Sequence, residues 1–236
     1  DFDGGREAAR RWRLAGVEPA RVQFVVGQSF GGLFDEAAAL PRVDGAFSVP
    51  RTFWETATQL IQHRSDDRFD LMYRLLWRLK DQPNLMAVLS DREVAEAADR
   101  VKAVRRAAHK MKAFVRFRQA EDETGEHWGA WFEPAHRVLP ATAPFFARRF
   151  STMRWSILTP DGSAHWNGEA LTYGPPADQA QAPREDAMEE FWRTYYASTF
   201  NPARLRLQAM RSEMPKRYWK NLPEAALIPE LIAASS

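Results

Sequence analysis

Near residue 114 the spacing of apolar residues changes from helical to alternating, and this switch decides what kind of fold the chain can adopt. Before it, Val101, Val104, Ala108, Met111 and Val115 follow one another at three- and four-residue steps, the period of a helix with one buried face. After it, Phe114-Val-Arg-Phe-Arg118 and His127-Trp-Gly-Ala-Trp-Phe132 flank a polar stretch containing Gly125 and read as a β-hairpin. A second hairpin is predicted from Trp155-Ser-Ile-Leu158, a turn at Asp161-Gly162, and the runs Ala164–Trp166 and Ala170–Tyr173. Helical and strand segments therefore occupy different stretches of the chain. The predicted class is α+β, with an antiparallel sheet built from two β-hairpins and surrounded by helices.

The flanking segments support that class. Residues 6–15, 51–63 and 68–80 carry helical spacing, with Gly16 closing the first and Ser65-Asp66-Asp67 offering caps to the third. Ser90 or Asp91 is placed to cap the long helix that ends near residue 113, and a short helix is predicted over 142–150. Val22–Val26 reads as a short β-rich run, and residues 174–186 as an exposed loop. The last third is helical, with Asn201-Pro202 as a start signal. Residues 1–236 are expected to form one domain, with a possible division into a helical part, 1–90, and an α+β part, 91–236.

Absent residue types exclude several functions. The chain has no cysteine, so it contributes no disulfide, thiolate zinc site or iron–sulfur ligand. No metal site and no cofactor of its own is expected. No apolar run reaches the length of a membrane span, and no signal peptide is visible, so the expected location is cytoplasmic.

Charge distribution says more than the net charge of +2. Between residues 100 and 118 stand Arg100, Lys102, Arg105, Arg106, Lys110, Lys112, Arg116 and Arg118, with His109 and no acid among them. Arg105, His109, Lys112 and Arg116 fall on one helical stripe, away from the apolar one. Such a stripe suits phosphates, because each contact releases condensed counterions. It equally fits a solvated face whose charges pair with acids elsewhere. Arg148 and Arg149 follow Phe145 and Phe146, and Arg204, Arg206, Arg211, Lys216, Arg217 and Lys220 interleave with Tyr218 and Trp219. Mixed cations and aromatics suit nucleic acid, and they also suit long side chains lying over a core.

Catalytic signals are sparse. No histidine sits in a metal-binding pattern and no serine in a nucleophile elbow. Asp161 and His165 would make an acid/base pair if the second hairpin brought them together, or they would simply build its turn. Glu213, before Pro215, is a further weak candidate.

Several strings are similar to a bacterial family described as DNA-repair or DNA-metabolism proteins. They include His109–Arg118, Ala130-Trp-Phe-Glu-Pro134, Ala143–Phe150, Arg154-Trp-Ser-Ile-Leu-Thr-Pro-Asp-Gly162, Trp192–Tyr196, Phe200–Arg204 and Glu213–Glu224. The resemblance implies a domain of unknown function that is encoded beside a radical-SAM protein and is sometimes fused to a uracil-DNA-glycosylase-type domain. It brings no catalytic residues with it. The family commonly has an aspartate where Asn167 stands. The expectation is a DNA-binding accessory protein in DNA repair that acts with a radical-SAM partner, contacting DNA through Arg105, Arg106, His109, Lys110, Lys112, Arg116, Arg148, Arg149, Arg204, Lys216, Arg217 and Lys220. The alternatives are a nucleic-acid-processing enzyme of glycosylase or nuclease type, and a protein-interaction module without DNA binding.

Overall fold

A computed structural model describes residues 2–22, 24, 41, 43–122, 125–182 and 218–219. The chain divides into two compact units. Unit one is Asp1–Arg106 with Ala135–Arg137, and unit two is Ala107–Pro134 with Val138–Ser236. The seam falls inside a helix, α4 (Arg92–Phe114).

Unit one is helical. It contains α1 (Phe2–Leu14), α2 (Arg51–Leu60), α3 (Arg68–Arg78) and the first part of α4. Phe53, Ala57 and Leu60 of α2 meet Leu71, Leu75 and Leu76 of α3, and Val94, Ala97 and Val101 of α4 complete the core. Tyr73 crosses that core and donates its hydroxyl to the Val17 carbonyl at 2.6 Å. Val22 and Phe24 lie outside any strand, so the described part of the 22–26 run is not β structure.

The two expected caps fare differently. Asp91 caps α4, accepting the amides of Glu93 at 3.1 Å and Val94 at 3.2 Å. Asp67 precedes α3 without capping it. Its carboxylate is committed instead to Arg100, which grips it with two bonds of 2.8 Å and also pairs with Glu96.

Unit two is built on a five-stranded sheet in the order β1 (Arg118–Asp122), β2 (Gly125–Trp131), β3 (Trp155–Thr159), β4 (Gly162–Trp166), β5 (Leu171–Gly174). The sheet is mostly antiparallel but not wholly so, because β2 and β3 run parallel. That junction corrects the expectation of an all-antiparallel sheet. It follows from α5 (Leu139–Arg149), which returns the chain to the end where β2 began. The predicted strand Phe114–Arg118 is also corrected. α4 continues through Phe114, and Phe117 turns inward against Phe150 at 5.3 Å, Trp155 at 5.7 Å and Phe146 at 6.0 Å.

One face of the sheet is apolar. Trp155, Ile157 and Ala164 are fully buried there and α5 packs against them, with Phe146 edge-on to Trp155. α5 carries Pro144 in its interior, which deprives the Pro140 carbonyl of its helical donor. Tyr173 of β5 supplies the missing donor, its hydroxyl reaching that carbonyl at 3.2 Å. Where helix α4 enters this unit, Ala107 and Met111 are buried and Ala108 is not, a small rotation from the predicted stripe.

Candidate functional site

Two features of unit two bring chemistry-bearing residues together. The first is cationic. Lys112, in the last turn of α4, sets its Nζ 5.2 Å from the ring centre of Phe145 on α5. Arg148 and Arg149 follow Phe145 by three and four residues, so they share its side of α5. All three cations are exposed, as is His109 one turn before Lys112. Among the described residues no carboxylate pairs with Lys112, Arg148 or Arg149.

The remaining cations of the predicted set do not all belong to such a surface. Lys110 is only 5% exposed, with its Nζ 5.8 Å from the Phe114 ring, so it is not presented to a phosphate. Arg116 donates to the carbonyls of Ala113 at 2.8 Å and Val115 at 3.3 Å, closing the C-terminal end of α4. In unit one, Arg105 and Arg106 are exposed, and Arg105 donates to the Gln59 side chain at 2.6 Å. Arg204, Lys216, Arg217, Lys220 and Glu213 lie outside the described residues. Tyr218, which was read with the C-terminal cations, is core. It is 1% exposed and stacks on Phe132 at 5.1 Å and Phe114 at 5.6 Å.

The second feature is a cleft of about 340 Å³ lined by His127, Arg154, Trp155, Ser156, His165, Trp166, Asn167 and Thr172, where Ser156 and His165 alternate along their strands with the residues that face α5. A chain of hydrogen bonds crosses three strands there. Ser156 Oγ lies 2.6 Å from His165 Nδ1 and 3.0 Å from His127 Nε2. The other ring nitrogen of His165, Nε2, lies 3.0 Å from Ser163 Oγ. Burial holds the pKa of His165 below its ordinary value, so the ring is neutral at neutral pH. A serine hydroxyl has one proton and gives it to one imidazole, while the other imidazole must donate to it. β5 presses close at the buried end: a Cβ on Gly174 would stand 2.6 Å from Ser163 Oγ. A methyl group there would force the Ser163 hydroxyl to move.

The comparisons with known proteins bear on identity. A family model described as Domain of unknown function (DUF4130) matches residues 66–224, well over half of the chain. The chain belongs to the DUF4130 family. No curated protein and no solved structure matches it.

Within this DUF4130 chain, His165 bonds to Ser156 and Ser163, so its role is set by serines. Asn167 builds the turn after β4, its side-chain oxygen accepting the amides of Glu169 at 2.9 Å and Ala170 at 2.8 Å. Among the described residues, no group of three or more histidine or acidic side chains is set to hold a metal ion, and no helix is long and apolar enough to cross a membrane. Sequence reasoning missed Ser156, Ser163 and His127. The signal for the first was present: a two-residue turn after Thr159 places Ser156 opposite His165 by simple counting.

Proposed function

We propose that this protein binds DNA through its backbone phosphates, as a cytoplasmic accessory factor in DNA repair. The observation that carries the reading is Lys112 beside the Phe145 ring with Arg148 and Arg149 one turn further along α5, all three exposed and without carboxylate partners among the described residues. Like charges held together repel one another, and an anion relieves that repulsion. An arginine pair beside a half-buried aromatic suits a phosphate contact with a stacking platform at its edge. The motif resemblance that pointed to DNA repair supports the same reading, and with it a radical-SAM protein as partner.

Fluorescence anisotropy with labelled single- and double-stranded DNA, at salt concentrations spanning about a fourfold range, tests it. Duplex affinity should fall with salt by about 0.9 log units per log unit for each phosphate contacted. The triple variant Lys112→Ala, Arg148→Ala, Arg149→Ala should flatten that dependence by roughly three contacts. Unchanged affinity and unchanged salt slope in the triple variant would overturn the reading.

A further inference from the structure

The turn between β4 and β5 carries a reactive pair. Of the asparagines in the chain, Asn84, Asn167, Asn201 and Asn221, only Asn167 is followed by glycine. An asparagine side chain is an amide whose leaving group is ammonia. The nitrogen of the next peptide is placed to close a ring onto its carbonyl carbon. A side chain on the following residue hinders that closure, and glycine has none.

The fold holds this pair ready to close. Asn167 and Gly168 are both exposed. Backbone amides can only donate, so the Asn167 atom that receives Glu169 N at 2.9 Å and Ala170 N at 2.8 Å is the carbonyl oxygen, Oδ1. The loop of atoms closed by the Glu169 bond contains the Gly168 nitrogen, so the side-chain carbonyl stays folded back over that nitrogen. The Gly168 amide makes no hydrogen bond of its own among the described residues, and none has to break before it reacts. Gly168 takes φ +101°, and nothing lies within 4 Å of the place a Cβ would occupy, which leaves that side of the turn open. Two donors on Oδ1 also hold the negative charge that grows there when a nucleophile adds to Cγ, as an oxyanion hole does.

We propose that Asn167 is a self-modification site, closing onto the Gly168 nitrogen and converting to aspartate and isoaspartate. The Gly168 nitrogen gives its proton to solvent hydroxide and forms a bond to Asn167 Cγ. The bond from Cγ to Nδ2 breaks, and Nδ2 leaves as ammonia with a proton from water. Water then opens the cyclic imide at one of its two carbonyls. Opening at Cγ gives aspartate, and opening at the backbone carbonyl gives isoaspartate. One water enters and one ammonia leaves, with no change of oxidation state. Either product sets a carboxylate into the cleft that His127, Ser156 and His165 line, where no acid stands among the described residues. Isoaspartate also lengthens the β4–β5 connection by one backbone carbon.

The test holds the whole chain folded at mildly alkaline pH and samples it over time. Digestion at acid pH, where closure is slow, and mass spectrometry then map the sites, with the same chain unfolded in guanidinium as reference. A gain of about 1 Da is expected at Asn167, at a rate in the folded chain equal to or above that in the unfolded one. The rate should rise with pH, because attack requires the Gly168 nitrogen to lose its proton. Electron-transfer fragmentation should find isoaspartate beside aspartate. Exposed Asn84, which precedes Leu85, should stay intact in the same digests. Asn167→Gln should end conversion at this position, since its closure needs a larger ring. Two results would overturn the proposal. A folded chain that keeps Asn167 while the unfolded chain converts it would show that the turn shields the pair. Aspartate without isoaspartate would show direct hydrolysis without ring closure.

Discussion

Ser163 Oγ and Gly174 face each other across the β4–β5 ladder, at a separation where a methyl group on Gly174 would displace the hydroxyl. Gly174→Ala would place its Cβ 2.6 Å from that oxygen. Overpacking of this kind costs about 1–3 kcal/mol. Ser163→Ala removes the obstructing oxygen, so Gly174→Ala should cost less in that background. A double-mutant cycle by urea denaturation measures the coupling, and additive effects would show that the two residues do not meet.

Arg100 holds the Asp67 carboxyl well below its usual range, to about 2. A depressed carboxylate stabilises the fold above its unfolded pKa, near 4, and that contribution disappears as pH falls toward 2. Asp91 behaves alike, lowered to about 2 chiefly by its bonds to Arg78. Unfolding free energy should therefore decline through this window. Asp67→Asn should reduce the slope, as read from urea midpoints at a series of pH values.

His63 and His165 predict a separate loss at milder acidity. Burial lowers the pKa of both, and for His63 the nearby Arg100 adds to it. The folded state resists a proton that the unfolded chain accepts near 6.5, so stability is constant above that pH and falls below it. His63→Gln should remove its share of the slope below about pH 6.5.

Tyr73 offers a spectroscopic check of the core of unit one. Burial raises its hydroxyl to about 12, so its ultraviolet titration should lag behind that of exposed tyrosines. Tyr73→Phe deprives the Val17 carbonyl of its donor. The expected loss is about 1 kcal/mol, measured by thermal or urea unfolding.

Two neighbouring lysines separate surface from core in the DNA reading. Lys112→Ala should lower the salt slope of binding by about one contact. Lys110→Met should leave it unchanged, because Lys110 is buried beside Phe114. Equal effects in anisotropy titrations would contradict that division.

Local signals determined the elements of this protein. The three-and-four spacing over Val101, Val104 and Met111 placed α4, Asp91 marked its start, and the turn after Thr159 set the register that pairs Ser156 with His165. These depend on neighbours within one helix or one hairpin, where periodicity and turn geometry act directly. Other features depended on packing between distant segments. The parallel junction of β2 and β3 brought His127 to Ser156, Phe117 abandoned its predicted strand for an aromatic cluster, and Asp67 gave up a helix cap for Arg100. The identical basic pattern along α4 likewise split into buried Lys110, Arg116 bonded to the helix end, and exposed Lys112. A charge pattern in sequence carries no record of which side the core will occupy or which partner will arrive, so only the tertiary structure could decide these.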